Sequence, residues 1–84
     1  MPDGSITIEV RVQLKPGIQD AEAESIEKSL HLLGLGGLAG VRTARVFSLV
    51  FRDVSEDQAR ERAQRAVDQL LANPVIHHVE MTLR

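Results

Sequence analysis

Apolar side chains recur at every second position from Ile6 through Ile8, Val10 and Val12 to Leu14, with Thr7, Glu9, Arg11 and Gln13 between them. A period of two places the five apolar residues on one face of a strand. Lys15-Pro16-Gly17 ends it, because proline presets the first central φ of a type II turn and glycine supplies the positive φ required second. A helix is expected from Asp20, an N-cap followed by Glu22 and Glu24 in the first turn. Ile26, Leu30 and Leu33 continue it at helical spacing, and Gly34 stands where a left-handed C-terminal cap belongs. Residues 41–43 and 46–53 read as two strands of a hairpin joined around Ala44 and Arg45. Ser55 and Gln58 form a capping box for a second helix, whose apolar stripe runs Ala59, Ala63, Ala66, Val67, Leu70 and Leu71. Its other face carries Glu56–Arg60 and Glu61–Arg65 at four-residue spacing. Pro74 stops it and holds Asn73 extended. Val79, Met81 and Leu83 then alternate with His78, Glu80 and Thr82 as a last strand.

Strand, helix, strand, strand, helix, strand is the order of the split βαβ unit. The expected fold is therefore α+β: a ferredoxin-like βαββαβ two-layer sandwich, with a four-stranded antiparallel sheet and two helices in one domain over residues 1–84. Ile26 and Leu70 are expected to face its core. In the hairpin, Phe47, Leu49 and Phe51 share one face while Val46 and Val50 occupy the other. Two helices cover only one face of such a sheet, so apolar residues on both faces suggest that another chain covers the second.

The chain has 84 residues, no cysteine and a formal net charge of -2. A disulfide framework, a cysteine–zinc site and a thiol nucleophile are excluded. Acidic balance and only two aromatic residues argue against nucleic-acid binding or a polybasic membrane anchor. Met1-Pro2-Asp3-Gly4-Ser5 lacks the basic and apolar regions of an export signal, and the segment 30–41 is too broken by glycine to span a bilayer; a cytoplasmic location is expected. Gly34-Leu35-Gly36-Gly37-Leu38-Ala39 fits the dinucleotide-loop spacing but leaves a helix and enters a strand, the reverse of the context that meets a pyrophosphate. It reads as a helix cap and connection. His31, His77 and His78 are too few for a metal centre, and the last two point to opposite faces of a strand. No catalytic, cofactor-binding or metal-ligating set emerges. An RNA-binding module or a small-ligand-sensing regulatory domain of the same topology is the alternative, since fold alone assigns no function.

Four segments, residues 14–20 (Leu-Lys-Pro-Gly-Ile-Gln-Asp), Leu33-Gly34, Val41-Arg42 and residues 70–76 (Leu-Leu-Ala-Asn-Pro-Val-Ile), together resemble the PurS family. PurS is the small subunit of phosphoribosylformylglycinamidine synthase, an ATP-dependent glutamine amidotransferase ligase of purine biosynthesis. The resemblance implies a self-associating βαββαβ protomer with no active site of its own. Its implied partners are a PurL-like synthetase subunit, which would carry ATP and magnesium, and a PurQ-like glutaminase subunit that releases ammonia. The small subunit would bridge them and support ammonia transfer. Lys15, Arg42, Arg45 and Asn73 are the implied subunit-contact residues, with a helix stop as the competing role for Asn73-Pro74. The chain departs from the family at Ala21 and Ala23, where proline and glycine are usual, at Ala44, where glycine is usual, and at His77, where an acid is usual.

Overall fold

The computed structural model describes residues 4–84, so part of the Met1–Ser5 reading lies outside the described residues. The strand β1 (Ile6–Leu14) forms as its alternation requires, and Ile8, Val10 and Val12 are buried. The turn that follows is the type II turn expected: Ile18 N donates to Lys15 O at 3.1 Å, with Gly17 at φ 87°. Helix α1 (Ala21–Leu32) starts where Asp20 accepts a hydrogen bond from Ala23 N. It ends in a Schellman pair, with Gly34 at φ 81° donating to His31 O and Leu35 N reaching Leu30 O.

Strand β2 (Ala44–Phe51) and strand β3 (His77–Leu83) both pair antiparallel with β1, giving the order β2-β1-β3. Among the described residues the sheet thus has three strands, not the four of the expected ferredoxin-like sandwich. The expected hairpin is absent, because residues 41–43 are not a strand and Ala44 and Arg45 open β2 instead of forming a turn. Two features explain this. Neither Ala44 nor Arg45 takes up readily the positive φ that tight hairpin turns demand, and Thr43 spends its polar groups on side chains, donating from Oγ1 to Asp20 and accepting from Gln13 Nε2 at its carbonyl.

Helix α2 (Glu56–Ala66) begins at the Ser55–Gln58 capping box, complete in both directions. Ala59 and Ala63 lie fully buried over β1, where small side chains let the helix approach closely. The helix then widens into one π turn over Val67–Leu71, closed by Ala72 N donating to Val67 O. A π turn advances fewer degrees per residue than an α turn, so Val67, Leu71 and Ala72 stay on the core while Leu70 swings out to 83% exposure. The core role expected of Leu70 is therefore incorrect.

Helix α1 also departs from expectation, standing clear of the sheet instead of covering it, so Ile26 is 39% exposed and Leu33 75%. The radius of gyration is 16.7 Å, against about 12 Å for a compact chain of this length. Helical spacing told which residues share a face of α1, not what that face meets. We expect Val67→Ala to lower folding stability by about 2 kcal/mol and Leu70→Ala by no more than about 0.5 kcal/mol, measured by denaturant unfolding at low protein concentration. Equal losses would mean that the π turn is not formed.

Candidate subunit-contact surface

Three connections meet at the C-terminal end of β1. Lys15 N donates to Ile76 O at 2.8 Å, and its ammonium donates to Pro74 O at 2.8 Å. Lys15 thereby ties the β1 turn to the segment leading into β3. Asp20 makes the second tie: one carboxylate oxygen caps α1 at Ala23 N, 2.9 Å away, and the other accepts from Thr43 Oγ1 at 2.7 Å. The Thr43 bond, followed by the backbone donors of the cap, holds the Asp20 carboxyl below its usual range. Gln13 Nε2 supplies the third, donating to Thr43 O at 3.3 Å. Between these anchors Lys15 and Arg42 line the same two hollows, so the structure brings this expected pair together.

Asn73 adjoins the cluster through its turn. Its Oδ1 accepts from Val75 N, its carbonyl accepts from the backbone of Ile76 and His77, and its own N–H donates to His77 Nδ1 at 2.9 Å. This bond requires Nδ1 to be the unprotonated ring nitrogen. Asn73 organises the chain reversal after the helix has ended at Leu71. Arg45 lies on the helix-side face of β2, where it shares a hollow with Asp20, Thr43 and His77 and holds its guanidinium 5.5 Å from the centre of the Phe47 ring. Asp20, Thr43, Gln13 and His77 are the members that the sequence reading missed. Asp20 was legible as a cap, and His77 falls four residues after Asn73, but nothing local pairs residue 20 with 43.

The face of the sheet opposite α2 is polar along its middle. Arg11 approaches Glu80 at 3.4 Å, and Arg84 grips Glu9 with two hydrogen bonds of 2.8 and 3.2 Å. The hydrogen bond to Arg84 is the main reason that the Glu9 carboxyl lies below its usual range. Val46 and Val50 are half-exposed at the β2 edge of this face. Among the described residues no polar or charged side chain is buried, and no group of three or more His, Asp or Glu is placed to hold a metal ion. No described helix is long and apolar enough to cross a membrane.

A three-stranded sheet with one covered face, a helix standing clear of it and basic residues gathered at one rim define a small α+β protein that keeps its polar groups at exposed edges. The chain belongs to the PurS family, whose model, described as phosphoribosylformylglycinamidine (FGAM) synthase, matches residues 7–84. It is thus a PurS subunit of a ligase of purine biosynthesis. The PurS subunit of Archaeoglobus fulgidus is 34% identical over 76 residues, covering 90% of this chain and 95% of its own. The crystal structure of Methanocaldococcus jannaschii PurS, one of the subunits of formylglycinamide ribonucleotide amidotransferase, superposes with a TM-score of 0.81 at 28% identity, over 94% of this chain and 95% of that one. A chain of the PurLQS structure from Thermotoga maritima shares the fold over the full length of both chains, with a TM-score of 0.84 at 24% identity.

Three outcomes follow from this geometry. Asp20 titrates lower in the folded chain than in the unfolded one, so its stabilisation is present above the unfolded value and is lost as pH falls through the folded one. Asp20→Asn should therefore flatten the acid limb of a stability-versus-pH curve and leave its neutral-to-basic slope unchanged; an unaltered acid limb would contradict the clamp. Asn73→Ala should lower the unfolding free energy by about 0.5–2 kcal/mol. At His77, asparagine, which keeps an acceptor, should cost less than leucine in the same denaturation assay.

Proposed function

We propose that this chain is a non-catalytic accessory subunit of FGAM synthase. It self-associates and bridges a PurL-like synthetase, which carries ATP and magnesium, to a PurQ-like glutaminase, supporting the passage of ammonia between them in the cytoplasm. The observation that carries the reading is uncovered surface. The chain exposes 6138 Å², whereas a compact monomer of 9.3 kDa exposes about 5,000 Å². The excess, on the order of 1,000 Å², reflects an extended chain of 50 × 31 × 15 Å with a thin core, a shape that gains from covering surface with a partner.

The exposed residues are of the kind that association covers. Leu32 and Leu33 at the end of α1 are 89% and 75% exposed, and Leu70 and Val75 beside the π turn are 83% and 76% exposed. An aqueous monomer gains nothing from leaving such side chains in water. The family match and the Thermotoga maritima PurLQS likeness support the identity of the larger partners. Lys15, Arg42, Arg45 and Asn73 remain the proposed contact residues, although Lys15 and Asn73 also hold the fold together.

Light scattering on the isolated chain should give a homo-oligomer without glutaminase activity. Mixing it with PurL and PurQ from the same source should restore glutamine-dependent FGAM synthesis, and a monomer that binds neither would refute the reading.

A further inference from the structure

We propose that the groove on the open face of the sheet, between the end of β1, Arg42 and the start of β3, receives an aspartate or glutamate side chain of a larger synthase subunit. This rests on the assembly reading above. The groove has a volume of about 630 Å³ and is lined by Gln13, Lys15, Pro16, Arg42, His78 and Glu80. That is room for a side chain with its backbone, beyond what a single ion needs.

Its chemistry is one-sided. Glu80 is opposed by Arg11 at 3.4 Å, and Asp20 on the neighbouring loop is engaged by Thr43 and the α1 cap. Gln13 is spent as well, donating to Thr43 and accepting from Arg11. Two cations remain. The Lys15 ammonium uses one of its three hydrogens on Pro74 O, which fixes its position and leaves two to donate. Arg42 is exposed and has no carboxylate within ion-pair distance among the described residues. A planar guanidinium beside an anchored ammonium recognises a carboxylate, the first as a fork and the second as a point charge.

The occupant follows from exposure and charge. In an open groove a free anion competes with water and salt and gains little. A carboxylate carried on a protein surface that covers the groove is desolvated together with its partners, and the attraction then becomes selective. Nucleic acid fits poorly, because the chain is acidic overall and Phe47 and Phe51 lie on the opposite face of the sheet.

The experiment is titration calorimetry of the full chain with purified PurL and PurQ from the same source, over a range of salt concentrations. Arg42→Ala and Arg42→Glu should weaken association with one of them by about 30-fold or more and reduce its salt dependence. Arg42→Lys should retain part of the affinity, and Arg62→Glu on the exposed side of α2 should have no effect. Circular dichroism confirms that each variant is folded. Recovery of Arg42→Glu binding by one acid-to-lysine change on the partner would identify the incoming residue. Wild-type affinity in both Arg42→Ala and Arg42→Glu would overturn the groove while leaving the assembly reading intact. Failure of the unaltered chain to bind either subunit would overturn both. Competition by inorganic phosphate at constant ionic strength, with no partner acid whose change matters, would make this a small-anion site and overturn the protein occupant.

Discussion

The sheet and its covering helix depend on one strand being satisfied on three sides. β1 donates and accepts hydrogen bonds along both edges, to β2 and to β3, and its branched residues Ile8, Val10 and Val12 lie under the alanines of α2. Ala59 and Ala63 permit that contact because they hold the helix close; a larger residue at either place would lift it from the sheet. The core is correspondingly thin. Its largest fully buried side chains are Ile8 and Val10 alone, which leaves the chain short of the burial that stabilises a free-standing domain.

What was legible in the sequence was what is decided within a few residues. The Pro16-Gly17 turn, the Asp20 cap, the Gly34 closure and the Ser55–Gln58 box all formed as read, since each is a short ring of bonds between near neighbours. The errors share another property. Residues 41–43 failed to become a strand because Thr43 bonds to Asp20, 23 positions away, and to Gln13, 30 positions away. Leu70 left the core because the helix changed its pitch at Val67, which a constant angular step cannot anticipate. Ile26 and Leu33 lie at correct helical spacing on a helix that buries only Ala23 and leaves both of them exposed. The proposed contact residues divide between the two faces of the sheet: Lys15 and Arg42 line one groove on the open face, while Arg45 falls on the other face through the pairing of Val12 with Arg45, a register that no local pattern announces.

His77 shows how one ring nitrogen can help to complete a chain reversal. Its Nδ1 accepts the Asn73 N–H at 2.9 Å. That unshared electron pair, together with the Asn73 Oδ1 bond to Val75 N and the Asn73 carbonyl bonds to Ile76 and His77, closes the reversal into β3.

The position of β1 also fixes when the chain can finish folding. Its first neighbour follows after one helix, but its second is made by the last strand, and the Arg84–Glu9 contact that secures it spans 75 residues. Closing so long a loop has a large entropic cost before any contact offsets it. During synthesis the second edge of β1 thus stays open until residues 77–83 have been made, a templating edge that any extended segment nearby could occupy first.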